Sequence, residues 1–232
     1  MLLMGHRTDS ASRIPYRARV ESGPAYAREP KQERSRLSFE KALDAAVSLL
    51  VQRRSDAFTL AEVAARGGVS IGSIYGRVES KDDLLRAAHA REMARIAAAQ
   101  QRAFATPAPA VESLPDAVRR VLGVTAQVLR DNAAVMAPFM LLANRDPAVA
   151  QLGRTTHREL QEAFVAALLV QRRQMGHPEP ERAVSWSFTV IYSVLARWLG
   201  LGSDLASAGE GDWDSTLGDL AEMVTAFLTG QN

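Results

Sequence analysis

The sequence predicts an all-α protein, and three observations carry that expectation. Apolar residues recur at three-and-four spacing in one stretch after another between residues 39 and 228, as the inward stripe of an amphipathic helix does. A Ser or Thr followed three residues later by Asp or Glu, the signature of a helix start, stands before several of these stretches: Thr59 with Glu62, Ser80 with Asp83, and Ser113 with Asp116. No segment shows the strict alternation of a half-buried strand, and no internal repeat is present. The expected architecture is a three-helix unit containing a helix-turn-helix, followed by a larger helical bundle. At 232 residues the chain is long enough for two domains or one large helical unit.

Residues 1–36 have no regular period and hold Pro15, Pro24 and Pro30 among eight basic and four acidic side chains, so a disordered basic arm is expected there. Its functional reading is that Arg13, Arg17, Arg19, Arg34 and Arg36 reach phosphates or a minor groove; its plain reading is a passive tail. Ser38 is placed to cap the first helix, whose apolar face runs Phe39, Ala42, Leu43, Ala46, Val47, Leu50 and Val51. After a polar turn, Phe58 is expected to plug the small core. Thr59 and Glu62 then open a helix through Leu60, Val63 and Ala64, and Gly67 and Gly68 stop it, at least one of them with positive φ.

Ser70 is placed to cap the next helix, with Ile74 and Val78 turned inward. Gly72, Ser73, Gly76 and Arg77 face outward on the helical wheel, and Ile71 and Tyr75 lie at the edges. A short helix with a small, polar and basic outer face, held by a glycine turn, has the form of a DNA-reading helix-turn-helix. The expected boundaries are 37–82 for this domain and 83–232 for the helical remainder.

Within it, Thr59, Glu62, Ala64, Gly68, Val69, Ser70, Gly72, Ser73, Ile74 and Tyr75, followed by Ser80, Lys81, Asp83, Leu84 and Leu85, carry a recognisable pattern. The core Gly-Val-Ser-x-Gly-Ser-Ile-Tyr and the continuation Ser-Lys-x-Asp-Leu-Leu resemble the DNA-binding domain of TetR-type transcriptional regulators, over residues 37–96. The resemblance implies contacts to a double-stranded DNA operator from Thr59, Ser70, Ile71, Gly72, Ser73, Tyr75, Gly76, Arg77 and Lys81. It implies a Tyr75 hydroxyl on a phosphate and a Ser73 contact to phosphate or base. Arg77 can read a guanine edge or hold a phosphate, and Ile71 can touch a thymine methyl or cover the core. Lys81 opposes the dipole of the helix it begins, which a phosphate at that helix N-terminus would explain. The sequence departs from the family at Gly76, where a larger side chain is usual, and at Val78, usually phenylalanine.

The helix beginning at Asp82 is expected to run to about Ala105 and to connect the two domains, as in the family. Pro107 and Pro109 break it. Ser113 restarts a helix through Val118, Val121, Leu122, Thr125 and Leu129, and residues 132–142 are apolar on nearly all sides. Leu160, Ala163, Phe164, Ala167 and Leu168 mark the next helix. The family resemblance makes the remainder an effector-binding and dimerisation domain. An effector pocket is expected among Met136, Phe139, Met140, Phe164, Leu168, Trp186 and Tyr192, for a small apolar or aromatic molecule. Two C-terminal stripes, Ile191, Val194, Leu195 and Trp198, then Leu217, Leu220, Val224, Phe227 and Leu228, either complete the protomer core or, as in the family, form a four-helix homodimer interface.

Residues 1–81 carry 14 basic and 9 acidic side chains, and the rest 14 and 17, so the positive charge lies with the expected DNA reader. The chain has no cysteine, which removes disulfides and thiolate chemistry. No segment is apolar enough for a membrane span or a secretory signal, so a cytoplasmic protein is expected. His6, His89, His157 and His177 lack partners at metal-ligand spacing, and no P-loop, dinucleotide fingerprint or nucleophile elbow is present. Neither a metal, a cofactor nor an enzymatic activity is expected. The function expected is a ligand-responsive repressor binding a palindromic operator as a homodimer. The alternative is a dimeric helical ligand-binding module with a degenerate DNA reader, which Gly76 and Val78 keep open.

Overall fold

The computed structural model describes residues 31–202 and 208–230. They form eight α-helices: α1 (Lys31–Arg53), α2 (Leu60–Gly67), α3 (Ile71–Tyr75), α4 (Lys81–Phe104), α5 (Leu114–Ala143), α6 (Pro147–Leu169), α7 (Pro180–Trp198) and α8 (Trp213–Thr229). No strand occurs among the described residues. None of these helices is long and apolar enough to cross a membrane.

The helix starts follow the side-chain signals. Thr59, Ser70, Ser80 and Ser113 each accept a hydrogen bond from the backbone N–H three residues on, satisfying a donor that the helix itself leaves open. The first helix differs. It begins at Lys31, so Ser38 lies inside it rather than at its cap, and residues 31–36, expected in the arm, are helical. Glu33 is close enough to Arg36 for a two-pronged ion pair, with bonds of 3.1 and 2.6 Å, which supports this extra turn. Arg34 and Arg36 therefore stand on a helix, while Arg13, Arg17 and Arg19 lie outside the described residues. Helix α5 is continuous through Pro138, where the sequence suggested two stretches.

Two hydrophobic clusters organise the chain. The amino-terminal one joins Leu43, Ala46 and Leu50 of α1 to Phe58, Val63, Ile74 and Val78 and to Leu84, Leu85 and Ala88 of α4. It also takes in Phe139, Leu142 and Val149, so it reaches past residue 82 into α5 and α6. The second cluster is built by α5, α6, α7 and α8 around Phe164, Phe188 and Leu195. Helix α4 packs chiefly against α6 and α1, and so bridges the two.

The C-terminal stripes are turned inward. Ile191, Leu195, Leu220, Val224 and Leu228 are at most 6 % exposed within one protomer, so they complete its own core and are not available to a partner. Trp198 is half-buried against Trp213 at 4.5 Å, Phe227 packs on His177 at 4.9 Å, and Leu217 is half-buried. Of the residues expected at an interface, Val194 is exposed. The reason lies in the period: three-and-four spacing marks an apolar face, and α7 and α8 spend that face on α5 and α6. What remains outside is Trp186 and Val194 on α7 and Met223 on α8.

Candidate nucleic-acid interface and a neighbouring cavity

The turn between α2 and α3 uses its two glycines for different reasons. Gly68 has φ +61°, a left-handed conformation in which a Cβ would be strained, and its N–H closes the end of α2. Gly67 needs space instead, since a Cβ there would lie 3.0 Å from the Lys41 carbonyl oxygen and 3.4 Å from the Ala45 Cβ. It lets α2 approach α1 closely. The other end of α2 is closed by a reciprocal cap: Glu62 N–H donates to Thr59 Oγ1 at 3.2 Å, and Thr59 N–H donates to Glu62 Oε2 at 2.8 Å. Thr59 is thus committed to the cap.

With Ile74 fully buried and Val78 nearly so, α3 has a fixed rotation on the core. Its outer face carries Ile71, 44 % exposed, and Tyr75, 55 % exposed, with Gly72 and Gly76 beside them. Nothing stands within 4 Å of where a Gly72 Cβ would be, and Gly76 has ordinary helical φ, so neither glycine is demanded by backbone geometry. They keep the face low. Ser73 is only half-exposed, and its hydroxyl donates to the Ser70 carbonyl at 2.6 Å, while Ser70 Oγ accepts from Ser73 N–H. Both serines are therefore used in closing the first turn of α3.

The two cations expected on this surface are held by the protein itself. Lys81 Nζ donates to the Asp56 carbonyl at 2.7 Å, lies 3.4 Å from the Asp56 carboxylate and sits over the Phe58 ring. Arg145, from the turn between α5 and α6, pairs with the same carboxylate. Burial favours the protonated form of Asp56, but Arg145 and Lys81 outweigh it and hold the carboxyl below its usual range. Arg77 donates from Nε and Nη2 to Ser35 Oγ, both at 3.2 Å, and stacks over Phe39. Its partner lies in the turn of α1 that the sequence placed in the arm.

Residues 42–88 match the family model described as bacterial regulatory proteins, tetR family. This amino-terminal domain is a TetR-family domain. The described residues have the fold seen in solved structures of TetR-family regulators. Salmonella enterica GusR superposes with a TM-score of 0.59 at 18 % identity, covering 82 % of this chain and 95 % of that one. A TetR-family regulator from Mesorhizobium loti gives 0.64 at 16 %, covering 85 % and 98 %. A tetR-family regulatory protein from Rhodococcus RHA1 gives 0.58 at 16 %, covering 82 % and 96 %. No curated protein is similar in sequence.

Beyond the TetR domain, a cavity of about 470 Å³, partly open to solvent, lies between α4, α5, α6 and α7. Met136, Phe139, Met140 and Tyr192 line it. Phe164 and Leu168 do not; both are sealed in the core of the second cluster, and Trp186 is 57 % exposed on the outer surface. Missing from the sequence-based set are His89, Met93, Ile96 and Gln100 of α4 and His157 of α6. The α4 set recurs at intervals of four, three and four, a helical stripe legible in the sequence of the connecting helix. His89 is buried against Phe139 at 4.8 Å, and burial lowers its pKa to about 4. His157 packs on Tyr192 at 4.3 Å and is also shifted down by burial.

Proposed function

We propose that this chain is a ligand-responsive transcriptional regulator, acting as a repressor, that binds a palindromic DNA operator as a homodimer through α3. The observation that carries the reading is the bare face of α3. Tyr75 and Ile71 project from a helix whose opposite side is locked into the core, and the glycines beside them let the backbone come close to a groove. Two copies related by a dimer axis present such helices about one helical turn apart, roughly 34–36 Å. The apolar side chains left outside, Trp186, Val194 and Met223, mark the dimer face. The cavity beside α4 receives a small, largely apolar effector, which acts by binding better to the conformation with the wrong spacing. The protein works in the cytoplasm, where its operator is.

The test is binding of a fluorescent duplex from the region upstream of the protein's own gene, followed by anisotropy over a range of salt. Tight, salt-weakened binding is expected, and Tyr75→Ala should weaken it at least about tenfold by removing a hydroxyl–phosphate bond. Affinity no higher than for random duplex, or unchanged by Tyr75→Ala, would overturn the assignment of α3. The second reading, a dimeric ligand-binding module with a degenerate reader, is favoured by the engagement of Arg77 with Ser35 and of Lys81 with Asp56. It predicts a dimer that binds small molecules in the cavity and has no preference for any duplex.

A further inference from the structure

The cavity beside α4 is apolar on most of its wall, yet one fully buried polar atom there has no partner in the protein. Gln100 is 5 % exposed, lines the cavity, and its Oε1 is buried without a hydrogen-bond partner. Buried amide oxygens without partners are rare, because water has been stripped from them and nothing replaces it. Of the other polar side chains on the wall, Thr156 donates to the Leu152 carbonyl, whereas His89, His157 and Tyr192 enter no side-chain hydrogen bond among the described residues and are held by ring packing instead. A leucine or methionine at position 100 would fill the same space without stranding an acceptor. Glutamine there is unfavourable for the empty protein.

Building on the effector reading above, we propose that Gln100 is the specificity-determining residue of this cavity. Its guest is a neutral, largely apolar molecule that donates one hydroxyl or N–H to Gln100 Oε1. The volume lies within the range of small-molecule sites, about 300–1,000 Å³. Charge selects against an anion. The histidines of the wall, His89 and His157, are kept neutral by burial. Arg154, the one charged lining residue, is exposed and already donates to Gln151. A carboxylate set against Gln100 Oε1 would lose its water and face another acceptor where it needs a donor.

The experiment uses three probes of one shape in isothermal titration with the full chain: 1-naphthol, 1-methoxynaphthalene, which lacks the donor, and 1-naphthoate, which carries charge. The wild type should bind 1-naphthol about tenfold more tightly than 1-methoxynaphthalene, the worth of one buried hydrogen bond. In Gln100→Leu and in Gln100→Met that preference should vanish while 1-methoxynaphthalene still binds. Both empty variants should also unfold at a higher temperature than the wild type, which establishes that they fold. The same naphthol preference in wild type and variants, or tighter binding of 1-naphthoate than of 1-naphthol, overturns the role of Gln100 alone. If no probe binds the wild type, the effector reading of the cavity falls with it.

Discussion

Glu62 shows how much a single exposed side chain can be asked to do. It closes the cap of α2 through Thr59 and also accepts from Arg53 Nη2 at 2.6 Å. The Arg53 bond first, and the Thr59 N–H second, stabilise the carboxylate and lower its pKa from 4.5 to about 2. Its contribution to stability is complete above pH 4.5 and is lost as pH falls through about 2. Glu62→Gln keeps a capping amide but cannot titrate. In thermal unfolding followed by circular dichroism, the variant should melt below the wild type at pH 6, and the gap should close by about pH 2; a constant gap would refute the ionic part of the cap. Such caps were legible in the sequence because both partners lie three residues apart. The partners of Lys81 and Arg77 were not. Asp56 and Ser35 stand 25 and 42 residues away, and only the packing of α1 against the α3–α4 region brings them near. A lone cation in a sequence looks available; in the fold it finds the nearest acceptor.

Among elements, the glycine turn was the most readable, since only a left-handed residue and a close helix approach call for two glycines in succession. Which glycine does which became visible only with the Lys41 carbonyl in place. Gly68→Ala should lower stability by about 1 kcal/mol through its positive φ. Gly67→Val should lower it further, because the clash is with the backbone of α1 and cannot be relieved by a rotamer change. Urea unfolding measures both, and an order reversed between them would show that α2 can slide on α1. The stripes of α7 and α8 were also legible as apolar faces. Their destination was not, because the period of a helix says which side wants cover and nothing about whether the cover is the same chain or another. The start of α1 was missed because its first turn is polar and is held by the pair of Glu33 and Arg36 rather than by an apolar stripe.

For the whole molecule, the fold class and the TetR-type domain were readable from local patterns, while the cavity wall depended on which helices meet. The inward turn of Ile191 separates folding from assembly. Ile191→Glu puts a charge into the sealed core and should abolish cooperative unfolding. Trp186→Glu alters an exposed side chain and should leave the melting of the protomer nearly unchanged while converting a dimer to a monomer in sedimentation velocity. A dimer that survives Trp186→Glu and Val194→Glu together would place the interface elsewhere. Phe139 has a position of its own in this arrangement. The ring is counted in the packing under the TetR domain, lies on His89, and forms part of the cavity wall. A guest that turned this ring would press on His89 of α4, and α4 shares with α1 the cluster on which α3 is seated.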